Sequence, residues 1–140
     1  MEALRQEVGE PPAGRVVVVG AGRDWPTAQE AALKLREGAH LPVEAHQTEQ
    51  LLHGHLAAID EEVRAYVLEG EGRAADRARD AVRALEILGC ETTLLPTRHP
   101  VVDVVFFHLL TLRAAEERGV DPDRIRWDDP RWNAARESYP

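Results

Sequence analysis

Arg15-Val16-Val17-Val18-Val19-Gly20-Ala21-Gly22-Arg23-Asp24-Trp25-Pro26-Thr27 is the stretch that decides the fold. Four consecutive valines have the character of a strand covered on both faces, which is the environment of a parallel sheet. Gly20 and Gly22 permit a tight turn, and Pro26, tolerated only near a helix start, marks the next element as a helix. That helix is expected from about Pro26 to His40, with Asp24 or Thr27 as its cap. Ala28, Ala32, Leu35 and Ala39 lie at spacings of four, three and four, so one face is apolar and mostly small and lets the helix sit close to a sheet.

The same alternation repeats outward from this unit. Val43 to His46, Arg64 to Glu69 and Glu91 to Pro96 read as further strands. Thr48 with Gln50 to Leu52 suggests a short helix reaching His53-Gly54. An amphipathic helix is expected from Ala74 to Leu88, with Ala78, Val82, Leu85 and Leu88 on one face and Gly89 at its end. Val101 to Arg118 begins as a nearly continuous apolar run but continues as helix, and most of it is expected to be a buried helix. The fold class is therefore α/β, a parallel sheet of four to five strands with helices on both faces and right-handed crossovers. Residues 1–14 form a lead-in, broken by Gly9-Glu10-Pro11-Pro12-Ala13-Gly14. Residues 15–120 form the domain and residues 121–140 a tail. In such sheets a ligand sits beyond the carboxyl ends of the strands, which would gather Gly20, Gly22, Arg23, Thr48, Glu49 and Glu69-Gly70.

The chain has 140 residues, enough for one domain with a single core. No run of about 18 apolar residues could span a bilayer. Its 17 basic and 25 acidic residues give a net charge of -8, which repels a phosphate backbone and argues against nucleic-acid binding. Cys90 is the single cysteine, so no intrachain disulfide is possible, and the N-terminus has no charged-then-apolar leader; a cytoplasmic location is the expectation. Sixteen of the basic residues are arginine and one is lysine, Lys34.

That lysine shares a helix face with two carboxylates, since Glu30, Lys34 and Glu37 are spaced i, i+4, i+7. A solvated salt-bridge stripe is the ordinary meaning of this spacing. The functional meaning is a carboxylate that moves a proton beside an ammonium that holds a polarised oxygen. Gly20-Ala21-Gly22 does not complete a dinucleotide fingerprint, because Trp25 stands where the third glycine belongs. His53 and His55 flank Gly54, and Glu49 precedes His53 by four residues. No further ligands complete a zinc pattern, so His53 suits acid-base work better than a metal. His40, His46, His99 and His108 read as scattered surface or core residues. Arg73, Arg77, Arg79 and Arg83 alternate with acids and read as a solvated face. Trp127, Trp132 and Tyr139 are expected to pack the tail against the body or a second chain.

The ordered run from Gly20 through Glu30-Ala31-Ala32-Leu33-Lys34-Leu35-Arg36-Glu37 resembles the sugar-isomerase (SIS) domain family, specifically the second SIS domain of the glucosamine-6-phosphate synthase and fructosamine deglycase group. Glu44-Ala45, Glu49-x-Leu51-x-His53-Gly54 and Ala58-Ile59-Asp60 extend the resemblance. It implies a three-layer, flavodoxin-like fold and sugar-phosphate ligands. It also implies that Glu37 moves a proton between sugar carbons 1 and 2, with Lys34 beside it and His53, often donated across a subunit interface, assisting ring opening. Gly20, Gly22, Arg23, Thr48 and Glu49 would then contact substrate. The implied activity is an aldose-ketose isomerase or deglycase needing a homodimer or a partner SIS domain, without cofactor or metal. The alternative is a non-catalytic sugar-phosphate-binding or dimerisation module. Four departures bear on this choice. The family's Ser/Thr-rich phosphate loop is not evident, no lysine follows Lys34 to form an imine, the segment between Leu95 and the final helix is short enough to leave out a fifth strand, and His55 stands where proline is customary.

Overall fold

The computed structural model describes residues 2–140. Four strands, β1 (Val16–Gly20), β2 (Val43–Gln47), β3 (Arg64–Leu68) and β4 (Glu91–Leu95), form one parallel sheet in the order β2-β1-β3-β4. The register pairs Val16 with both Val43 and Arg64, and Arg64 in turn with Glu91. Six helices accompany the sheet: α1 (Glu2–Glu7), α2 (Trp25–Ala39), α3 (Thr48–His53), α4 (Arg73–Ile87), α5 (Pro100–Glu117) and α6 (Pro130–Glu137). The α/β, flavodoxin-like architecture expected from the sequence is the one observed, with four strands.

Alternation along β1 splits the core in two, because successive side chains of a strand point to opposite faces. Val16 and Val18 face the layer of α2 and α5, where Ala28, Ala32, Leu35, Phe106, Phe107 and Leu110 are buried. Val17 and Val19 face the layer of α3 and α4, against Leu51, Ala78, Ala81 and Leu85. The small face of α2 does what its spacing implies: Ala28, Ala32, Leu35 and Ala39 are all buried. It meets α5 tightly at Gly38, where an added Cβ would lie 2.6 Å from the Thr111 methyl and 3.5 Å from Pro122 Cβ.

The α2 boundary differs slightly from expectation. Asp24 holds the N-cap position without a side-chain capping bond, and the helix ends one residue early because His40 adopts a left-handed conformation (φ 53°). Beyond α5 the tail turns back: Pro122 and Ile125 meet the outer surface of α2 and α5, and α6 follows with no fully buried residue. No helix among the described residues is long and apolar enough to cross a membrane.

Candidate functional site

Reversal of strand order between β1 and β3 creates a crevice at their carboxyl ends, the usual ligand position in such sheets. Here it is filled by protein. Gly20 is buried beneath the turn, and a Cβ on it would lie 2.8 Å from the Asp24 carbonyl oxygen. The Asp24 side chain, 6% exposed, points towards Gly70, and burial pushes its carboxyl up from the usual range. Arg23 donates to the Arg98 carbonyl oxygen at 3.1 Å and lies 3.0 Å from Glu71. Arg98 in turn holds the buried Asp103 at 2.5 Å and Glu7 at 2.8 Å. Gly20, Gly22 and Arg23 thus serve a closed, mostly carboxylate-lined turn, with Gly22 at φ 56°.

Beside it, Ala21, Thr48, Glu49, Arg73, Ala74 and Arg77 line a cavity of about 340 Å³ between α3 and α4. Arg77 grips Glu49 through two bonds of 2.6 and 3.1 Å, which holds the Glu49 carboxyl below its ordinary pKa. Glu49 also approaches His53 Nε2 at 3.1 Å, leaving the His53 ring 74% exposed on the outer side of that layer. The Thr48 hydroxyl is buried and unpartnered. His46 stacks on His55 with ring centroids 4.2 Å apart.

Lys34 and Glu37 lie elsewhere. Glu37 is twelve residues beyond Trp25, so at 1.5 Å per residue it sits roughly 18 Å along α2 from the glycine turn. Lys34 Nζ donates to Glu37 Oε2 at 3.1 Å and lies 3.8 Å from Glu30 Oε1, and these partners raise its pKa, so the ammonium keeps its proton. His108 of α5 approaches the same Glu30 oxygen at 3.7 Å. Lys34, Glu37, Gly38, His108 and Thr111, together with Pro122 and Ile125 of the tail, line an open cleft of about 280 Å³. The expected site residues are therefore distributed over three places. Glu37 and Lys34 share one cleft, Thr48 and Glu49 share another with His53 at its rim, and Gly20, Gly22 and Arg23 form the closed turn. His108, Thr111 and Ile125 were not singled out from the sequence; their approach to α2 arises from tertiary packing, and no local motif announces it.

Residues 12–88 match the family model for the SIS domain, which is more than half of the chain. The chain belongs to the SIS domain family. It is 33% identical over 150 aligned positions to a glutamine-fructose-6-phosphate aminotransferase (isomerizing) from Symbiobacterium thermophilum, covering 90% of this chain and 25% of that protein. The corresponding protein from Zymomonas mobilis is 28% identical over 138 positions, covering 82% and 23%. This SIS chain thus spans about a quarter of the length of those two relatives. Among solved structures, the C-terminal domain of the aminotransferase from Francisella tularensis superposes with a TM-score of 0.69 at 21% identity, covering 86% of this chain and 39% of that one. A tagatose-6-phosphate ketose/aldose isomerase from Escherichia coli gives 0.70 at 17%, covering 89% and 41%. At those identities the two structures speak for the fold.

Proposed function

We propose that this SIS chain binds a phosphorylated sugar in the Lys34–Glu37 cleft and, paired with a second copy or a partner SIS domain, catalyses aldose-ketose isomerisation or a deglycase reaction of the same kind. One observation carries this reading: the chain's single lysine is bonded to Glu37 at 3.1 Å on the wall of an open cleft of about 280 Å³, with both side chains about a third exposed. His108 and Thr111 of α5 and Pro122 and Ile125 of the tail face the same cleft, which an isolated ion-pair stripe on a bare helix surface would lack. In the isomerisation the Glu37 carboxylate takes the proton from one of sugar carbons 1 and 2 and returns it to the other while a hydroxyl proton passes between O1 and O2, so atoms balance without a co-reactant; the deglycase reaction consumes one water. Lys34, kept protonated, stabilises the enediolate oxygen as charge develops. Arginine replaces lysine at every other basic position, so an imine route has no amine besides Lys34. His53, exposed on α3 in the opposite layer from α2, would serve the cleft of a second chain and not its own.

A second reading, a non-catalytic sugar-phosphate-binding or dimerisation module, is favoured by that same separation of His53 from Glu37. Proton exchange at carbon 2 of fructose 6-phosphate, followed with and without candidate SIS partners, decides between them. Exchange that falls at least 100-fold in a normally folded Glu37→Gln variant supports the enzyme. Absence of exchange under every condition refutes it, and an unchanged rate in Glu37→Gln removes this carboxylate from the chemistry.

A further inference from the structure

A second cleft, of about 200 Å³, adjoins the first and shares Glu37 and Ile125 with it as walls. Its remaining lining is cationic and aromatic: Arg36 and His40 from α2, with Arg126, Trp132 and Arg136 from the tail. Nine other arginines of the chain lie within 4.0 Å of a carboxylate. Of the seven arginines with no such partner among the described residues, three, Arg36, Arg126 and Arg136, gather at this cleft, whereas Arg5, Arg73, Arg113 and Arg118 do not line it. In a chain of net charge -8, three guanidinium groups without a close ion-pair partner around one small cleft, against the one carboxylate of Glu37, give it a locally positive balance.

The groups are also held in place. Arg136 donates to the Ile125 carbonyl oxygen at 2.5 Å and to Asn133 Oδ1 at 2.8 Å, and its guanidinium lies 4.1 Å from the Trp127 ring centroid. Arg126 lies 4.3 Å over the Trp132 ring. Ile125 and Arg126 both have positive φ, 40° and 58°, an uncommon conformation for any residue with a Cβ and more so for a β-branched one. The His40 Nε2 atom, on the same wall, is buried with no hydrogen-bond partner. An anion in the cleft would meet forked donors and an imidazole nitrogen, the geometry suited to the several oxygens of a phosphate monoester.

We infer that this arginine-lined cleft is the anion subsite for the phosphate end of the sugar whose carbon chain passes along Glu37 and Lys34. The inference rests on the reading of the Glu37 cleft given above, and it places the phosphate at a tail-built site instead of the glycine turn, where Asp24 and Glu71 stand and Arg23 is already engaged. Every lining residue comes from one chain, so anion binding requires no partner.

Titration of the full chain with inorganic phosphate, fructose 6-phosphate and uncharged fructose, read by tryptophan emission and by thermal shift, tests it. Phosphate and fructose 6-phosphate are expected to compete for one site, and fructose to leave both signals unchanged. Arg36→Gln and Arg126→Gln should each weaken phosphate binding about 10-fold, as loss of a charge-assisted bond does. Arg113→Gln on the outer face of α5 should match the parent. The Arg36 side chain makes no hydrogen bond or ion pair with the described residues, and its backbone carbonyl, which accepts from His40, is kept in the variant, so the test stays clear of folding defects. Absence of phosphate binding, or equal affinity in Arg36→Gln, Arg126→Gln and the parent, overturns the inference. Arginine-dependent phosphate binding without carbon-2 exchange would leave the subsite standing and refute the enzyme. Exchange with an unchanged KM in both arginine variants would do the reverse.

Discussion

Replacing Gly38 by alanine tests the contact that builds the cleft. Gly38 is the next-to-last residue of α2, and within a helix alanine is favoured over glycine by up to about 1 kcal/mol, so an unopposed Gly38→Ala change stabilises the protein. The new methyl would lie 2.6 Å from Thr111 Cγ2, about 1 Å inside ordinary carbon-carbon contact, and Pro122 Cβ stands at 3.5 Å on the other side. Thr111 cannot swing away cheaply, because its hydroxyl donates to the Phe107 carbonyl oxygen at 2.8 Å and α5 is anchored by the buried Phe106, Phe107 and Leu110. Overpacking of this kind costs roughly 1–3 kcal/mol, so the net effect is a destabilisation of about 1 kcal/mol. Thr111→Ser removes the offending methyl and keeps the hydroxyl. In that background Gly38→Ala should become stabilising by about 1 kcal/mol, a coupling of about 2 kcal/mol between the two positions. Urea denaturation of the four proteins measures it. If Gly38→Ala stabilises the parent and the Thr111→Ser background equally, α2 and α5 are not in the close contact described, and the cleft beside Glu37 loses its geometric basis.

Two further predictions concern buried charge. Arg98→Met leaves the Asp103 carboxylate, whose side chain is 4% exposed, without its 2.5 Å partner; a destabilisation of about 3 kcal/mol is expected by denaturation, and Arg98→Met with Asp103→Leu should recover most of it. Equal stability of Arg98→Met and the parent would refute that pairing. Burial and the neighbouring His55 lower the pKa of His46 against the opposing pull of Glu44, so the folded chain disfavours its protonation. A histidine with a folded pKa below its unfolded value of about 6.5 contributes stability above that pH and loses it as pH falls through the folded pKa. His46→Gln should therefore lose less stability than the parent between pH 7.5 and pH 5, and parallel pH profiles would show that the imidazole does not report on folding.

Much of the fold was legible because it depends on local pattern. Four valines before a glycine turn specify a buried parallel strand, and the alternation of Val16 and Val18 with Val17 and Val19 assigns the two helical layers without further information. The Ala-Leu face of α2 and the Leu85 face of α4 follow from helical periodicity in the same way. The pairing of Lys34 with Glu37 was legible for the same reason, being an i, i+3 relation on one helix. The cleft around that pair was not. His108 and Thr111 reach it from α5 and Ile125 from the tail, more than seventy residues away, and nothing near them in sequence distinguishes them from ordinary surface positions. Arg36, Arg126 and Arg136 likewise look like three of sixteen arginines until the fold brings them to one cleft.

The glycine turn and Glu37 illustrate why a continuous motif need not form one site. They are eighteen residues of one recognisable run, yet they occupy opposite ends of α2, which travels the height of the sheet between them. A turn at the carboxyl ends of the strands and a carboxylate about 18 Å down the following helix cannot both touch one small sugar. Gly20 is needed because the Asp24 carbonyl passes where its Cβ would be, and Gly38 because the Thr111 methyl does. Both glycines position α2, the first against β1 and the second against α5. Under the proposed function, the Gly20 end fixes the helix, the Gly38 end presents Glu37 and Lys34 to a cleft lined in part by the tail, and His53, in the other layer, is left outward for a second chain to use.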